Sequence, residues 1–384
     1  MLSKKCFVCL LLVTTVIGTA VLSGCGKEEN TSDDTSTAAA EQDVSAGEDI
    51  ENNNEENNTQ EKANAEDAVA DNEENDDDDG PLPEIEDPTP DNEGEWSNDI
   101  FIYNNVAYEP FYGGDDSAKE YADTVSYVKK KLGSNITLYN VVVPTHTGVD
   151  LPDKFKDLFS SQKDYLEKIV TSYSADVTGV NAYNKIAHHR NEYLYFNTDH
   201  HWTGLGAYYA YRAFTKAAGV TPVELDQLKS DKIEGYTGTL KMYSERDDLK
   251  EDYVEYYYPD YDIDCQCYDE NGENPYDYLL LHTYAEGENA YGVFLGGDQP
   301  LMVAKNPKGN GKKIAVLKES YGNAFSPFIC FTYSETHMID FRSAKIDLKD
   351  YLDENGITDV IIINNSMASA TPDRLDELKM IVGG

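Results

Sequence analysis

Four consecutive positions concentrate more titratable chemistry than any other stretch of the chain. In "FNTDHHWTG" (Phe196–Gly204) an acid, two histidines and a tryptophan follow one another, as Asp199, His200, His201 and Trp202. A carboxylate two residues before an imidazole can fix one ring nitrogen and leave the other free to take a proton. Such a pair needs a nucleophile, and Ser320 in "LKESYGNAF" is the candidate, because it ends an apolar run and precedes a helical one. A serine at that turn is exposed at a sheet edge, beside helix-start N–H groups that stabilise a developing anion. Tyr321 and Gly322 are the nearest backbone donors, and Trp202 would shield the pair from water. Two other readings stay open. Ser320 fits a plain helix N-cap. His188, His189, His200 and His201 could offer nitrogens to zinc, or form a structural cluster, although no HExxH motif is present. His200 is expected to turn away from His201 if the backbone is extended there. No metal and no cofactor is assigned.

The elements that must position these groups alternate. Strands are predicted over 99–108 (strand or hairpin), 136–144, 312–320, 337–343 and 358–365. Helices are predicted over 117–132, about 160–173, about 204–218 and 347–355, and one begins at Thr371-Pro372-Asp373. Strand–helix alternation with continuous apolar strands predicts an α/β fold with a mainly parallel sheet covered on both faces. Functional groups then gather at the carboxyl ends of the strands. There Arg342, Asn364 and Asn365 are further candidates for the oxyanion or the substrate, with Gly297 of "GGD" supplying a backbone donor. The stretch 222–294 reads as an irregular insert, with ten tyrosines between Tyr253 and Tyr291. They form either a self-packing β extension or an aromatic wall for sugar rings.

The ends of the chain speak to location. Lys4 and Lys5, an uncharged run from Cys6 to Leu22, and "LSGC" ending at Cys25 form the pattern of a bacterial lipoprotein leader over 1–24. Cys25 would carry the lipid, and the leader's alternative is an uncleaved membrane anchor. Residues 25–95 read as an acidic disordered linker, with 27 acidic residues against two lysines, which is more than half of the net charge of −41. The remaining domain, 96–384, is acidic too, which disfavours nucleic acid as a partner. Cys265, Cys267 and Cys330 give no disulfide framework, though the first two lie close enough for a strained bridge.

Three motifs together carry a resemblance. "TDHHWTGLGAYYAY" (198–211), "GGDQPL" (296–301) and "LKESYGNAFSPF" (317–328) resemble the DHHW protein family, itself similar to the alginate O-acetyltransferase group of SGNH-type hydrolases. The likeness spans about 99–365. It implies a flavodoxin-like three-layer fold with Asp199 as orienting acid, His201 as general base and Ser320 as nucleophile, in an order permuted from that of ordinary SGNH esterases. Lys318-Glu319-Ser320 departs from their Gly-Asp-Ser. The resemblance further implies an esterase or O-acyltransferase acting on acetyl groups of an extracellular or cell-wall polysaccharide. A transferase would also need a membrane protein delivering the acyl group. The competing reading is a polysaccharide-binding or assembly lipoprotein without catalysis on the same fold.

Overall fold

The structure, a computed structural model, describes residues 80–383. The predicted leader, Cys25 and most of the acidic stretch lie outside the described residues. Eight strands build the main sheet: β1 (Thr137–Val143), β2 (Thr178–Val180), β3 (Asp264–Tyr268), β4 (Tyr276–Tyr278), β5 (Leu301–Lys305), β6 (Lys313–Lys318), β7 (Glu335–Asp340) and β8 (Asp359–Asn365). Their spatial order is β2-β1-β8-β6-β7-β5-β3-β4. The first five run parallel, and the last three extend the sheet antiparallel.

Side-chain alternation along the central strands explains why both faces are covered. Val141, Val316, Ile361 and Ile363 join one buried cluster with Phe214, Phe325 and Phe328. Leu138, Val142, Leu317, Val360 and Ile362 join another with Tyr121, Leu166, Leu352 and Leu378. With period-two alternation and apolar residues on both faces, such strands can only be central. Helices α1 (Asp115–Leu132), α2 (Gln162–Ser172), α5 (Leu348–Asn355) and α6 (Pro372–Met380) cover the second face, and α3 (Gly204–Ala218) and α4 (Tyr321–Thr332) the first. This is the three-layer α/β arrangement the sequence predicts. The bounds of α3 follow from its caps: Thr203 accepts the Gly206 N–H, and Gly219 closes the helix at φ 61°.

Two regions depart from expectation. Residues 82–95, assigned to the linker, lie on the domain. Leu82 packs against the second cluster, and Lys154 Nζ takes the carbonyls of Pro90 and Asn92 at 2.9 and 2.8 Å and Asp87 at 3.1 Å. Glu95–Ser97 pairs with Ile100–Tyr103. Polar composition forbids a core of their own, but a few anchors and one lysine suffice to seat a segment on a core already formed. The tyrosine-rich stretch carries regular structure: a hairpin of Lys229–Tyr236 with Asp252–Tyr258, then β3 and β4 on the sheet. Its rings pack largely on the protein, Tyr253 on Tyr193 and Tyr257 on Phe328. Cys265, Cys267 and Cys330 are free and buried. Among the described residues no helix is long and apolar enough to cross a membrane.

Candidate active site

Ser320 stands where β6 gives way to α4, at the carboxyl end of the central strand. The residues before α3 fold back on themselves: Thr203 N–H donates to Leu194 O at 2.8 Å and Phe196 N–H to His201 O at 3.3 Å. Asp252 fixes the tip, its carboxylate accepting the Asn197 and Thr198 N–H groups, each at 2.8 Å. These constraints aim Asp199 and His201 at the serine.

His201 Nε2 lies 2.8 Å from Ser320 Oγ, and His201 Nδ1 lies 2.6 Å from Asp199 Oδ1. Asp199 is 1% exposed, and its carboxylate is saturated. Oδ1 also accepts the His201 N–H at 3.0 Å, and Oδ2 accepts the Thr239 N–H at 2.8 Å and its hydroxyl at 3.0 Å. Burial alone would raise this carboxyl, but the adjacent His200 and His201 and the hydrogen bonds outweigh it and hold the group well below the usual range. An ionised Asp199 keeps the proton on Nδ1, so Nε2 presents a lone pair to the serine hydroxyl. Tyr291 stacks on the His201 ring, centroids 4.1 Å apart, and fixes its plane.

The serine side and the acid–base side are also bolted together directly. Trp202 Nε1 donates to Tyr321 O at 3.0 Å, and the Tyr321 hydroxyl donates to His200 O. Trp202 is therefore a buried strut between two segments. His200 does not turn away: its ring lies 3.9 Å from that of His201, because Nδ1 bonds Thr239 Oγ1 at 2.8 Å. Burial and the neighbouring His201 lower its proton affinity. The donor atoms of Asp199, His200 and His201 lie within 4.8 Å of one another, a set able to surround a cation. Here both Asp199 oxygens and both His201 nitrogens are already engaged, and His188 and His189 stand outside the group.

The oxyanion candidates fare differently. The Glu319 carboxylate, 3% exposed, accepts the Tyr321 N–H at 3.0 Å through Oε2. Through Oε1 it accepts the Asn365 N–H at 3.0 Å and Asn365 Nδ2 at 3.3 Å. Oε2 also lies 3.2 Å from Ser320 Oγ. Gly322 N–H donates to Glu319 O, and Asn364 Nδ2 donates to Tyr121 OH inside the core. Gly297 N–H donates to Phe294 O. Arg342 is held by Asp340, its Nε 2.8 Å from Oδ1, and by Asp298 at 2.8 Å. Asp298 also accepts Asn323 Nδ2 at 2.9 Å. Burial raises the Asp298 carboxyl, yet Lys318 and Arg342 bring it down to about 2.

Several supporting residues escaped sequence reasoning. Gly238 admits no side chain, since a Cβ there would stand 2.2 Å from Asp199 Cβ. With Thr239 it forms the seat of the acid, and the Gly-Thr pair was the available signal. Tyr291 was one tyrosine among ten. Burial raises the Glu109 carboxyl, with His200 opposing that rise and Asp199 adding to it, and nothing in the sequence marks it.

The description "DHHW protein" fits a family model matching residues 18–339. No curated protein sequence matches the chain. A DHHW family protein from Eubacterium siraeum is similar at 30% identity and a TM-score of 0.69, over 75% of this chain and 97% of that one. PatB1 from Bacillus cereus shares the fold at 18% identity and a TM-score of 0.59, over 72% and 98%. A fainter likeness, at 12% identity and a TM-score of 0.41 over 73% and 98%, is to the O-acetyltransferase domain of AlgJ from Pseudomonas putida. The family model takes in the Asp-His-His-Trp segment and Ser320 alike, and this chain belongs to the DHHW family.

Proposed function

We propose that the domain is a serine O-acyltransferase or esterase that works on acetyl groups of an extracellular or cell-wall polysaccharide, held outside the bacterial membrane by a lipid on Cys25. One observation carries the chemistry: the unbroken chain of hydrogen bonds from Asp199 through His201 to Ser320. In this reading Ser320 Oγ attacks the acyl carbonyl carbon while its proton passes to His201 Nε2, and Asp199 stabilises the imidazolium. The tetrahedral intermediate collapses, the bond from the acyl carbon to the departing group of the donor breaks, and that group takes the proton from His201. The donor is the acetylated sugar for an esterase and the membrane partner's acyl carrier for a transferase. A second hydroxyl then attacks the acyl-serine as His201 removes its proton. A sugar hydroxyl makes the protein a transferase and water makes it an esterase. The polysaccharide substrate and a membrane partner delivering the acyl group rest on the family's likeness to O-acetyltransferases.

One observation favours a second reading, a polysaccharide-binding or assembly lipoprotein without catalysis. Glu319 occupies the N–H groups that a developing oxyanion would need, so catalysis requires that carboxylate to withdraw. A membrane-impermeant fluorophosphonate applied to intact cells separates the readings. Labelling at Ser320 of a membrane-bound protein, abolished in Ser320→Ala and in His201→Ala, is the expected result. An unlabelled but folded protein would leave only the binding reading standing.

A further inference from the structure

Most of the candidate active site is closed to a substrate. Asp199, His201, Trp202, Glu319, Tyr321 and Asn365 are all buried. Ser320 and His200 reach solvent, the His200 side chain with 29% of its surface. The His200 ring lies 3.9 Å from that of His201, whose Nε2 meets Ser320 Oγ at 2.8 Å. A molecule that comes to the serine from solvent is thereby brought within reach of the His200 ring.

The hydrogen bonds behind that ring decide what it offers. Thr239 Oγ1 lies 3.0 Å from Asp199 Oδ2 and 2.8 Å from His200 Nδ1. The ionised carboxylate can only accept, so the single hydroxyl hydrogen of Thr239 goes to Asp199. Toward His200 the hydroxyl must then accept, which places a proton on Nδ1. Burial and the neighbouring His201 lower the proton affinity of the ring, and the neutral form carries a lone pair on Nε2. That atom meets no hydrogen-bond partner among the described residues, and it is not sealed from solvent. Beside the base that serves the serine there stands a second, idle acceptor.

We propose that His200 selects the acceptor of the acyl group: its Nε2 accepts a hydrogen bond from a hydroxyl neighbouring the one that attacks the acyl-serine. The assignment rests on the acyl-transfer reading above and narrows it, since water has no second hydroxyl and a sugar has several. In the transfer step the attacking oxygen bonds to the acyl carbon while His201 Nε2 takes its proton. The bond from the acyl carbon to Ser320 Oγ then breaks, and Oγ recovers the proton from His201. His200 makes and breaks no covalent bond; it holds the acceptor over the acyl-serine. A sugar already acylated at the neighbouring position has no hydrogen to give and is a poorer acceptor.

Partition of one acyl-enzyme between two alcohols tests this. The full chain in detergent is given p-nitrophenyl acetate with equimolar ethane-1,2-diol and ethanol, and the two acetate esters are quantified by gas chromatography. The ratio of diol ester to ethyl ester should be about fivefold higher in the parent than in His200→Phe, as for one hydrogen bond. His200→Gln should recover part of that preference, because its Oε1 supplies an acceptor in place of Nε2. Both esters come from the same acyl-serine, so a variant that is slower or less stable still reports the ratio, and His200→Ala replaces His200→Phe if the latter does not turn over. Equal ratios in the parent and His200→Phe, a His200→Gln ratio no higher than that of His200→Phe, or hydrolysis with neither ester formed would overturn the assignment alone. Absence of any Ser320-dependent release of p-nitrophenol would strike the acyl-transfer reading itself, and the assignment with it.

Discussion

Two buried histidines in this molecule are bonded to aspartates, and the pairs differ in everything around that bond. His201 presents Nδ1 to an acid two residues earlier, in a loop. His146 presents Nε2 to an acid four residues later, across one helical turn. The Asp199 carboxylate accepts four hydrogen bonds, whereas Asp150 Oδ1 accepts none. Beyond the first imidazole stands a serine at 2.8 Å; the far nitrogen of the second is buried and meets no hydrogen-bond partner. An Asp–His pair is thus not itself a relay. What makes one is an acid held rigidly enough to set the tautomer and a nucleophile on the far side.

That contrast can be attacked at its strongest point. In Asp199→Asn the negative charge beside His201 Nδ1 is lost, and the new NH2 faces a backbone N–H in either orientation, that of His201 or that of Thr239. The rate of fluorophosphonate labelling at Ser320 should fall by about 10³–10⁴-fold, with the fold intact by circular dichroism. A fall of less than tenfold would mean that the saturated carboxylate is only structural. A smaller effect is expected from Trp202→Phe, which removes the strut to Tyr321 while keeping most of the ring volume. Urea unfolding should show a loss of about 1–3 kcal/mol. Undiminished stability would mean that the two sides register without it.

The smallest effect is one of pH. The folded Asp199 carboxyl lies below its unfolded value, which is about 3.9 for an unperturbed aspartate. Its ionised contacts therefore contribute fully above that value, and the contribution is lost as pH falls toward the folded one. The unfolding free energies of the parent and Asp199→Asn should differ by a constant amount above about pH 5 and converge below about pH 4. A gap that widens in acid would reverse the assignment.

Much of the fold was legible because its signals are local. Apolar runs such as Asp359–Asn365 could belong only to a central strand, and Thr203 and Gly219 mark both ends of α3. Asp199, His201 and Ser320 were legible by residue type and by position at strand-to-helix turns. The oxyanion candidates were not, because direction is a tertiary property: Glu319, the residue before the serine, folds back onto the Tyr321 and Asn365 donors. Nor were β3, β4 and β5 foreseen as strands of the main sheet. Short antiparallel strands carry weak patterns, and their place is set by pairing with β7. Residues 82–95 looked like linker because composition does not reveal a docking surface elsewhere in the chain.

The Trp202–Tyr321 bond joins residues 119 positions apart, and both are buried. Everything between them is in effect a loop closed at its base. Closing a longer loop costs only about 0.6 kcal/mol per doubling of length. The exposed turn at 271–275, remote in sequence from the residues that support the site, is therefore a natural port for accessory modules. A whole domain could be spliced in there while Ser320 and His201 stay in register, because that register is set where the loop closes.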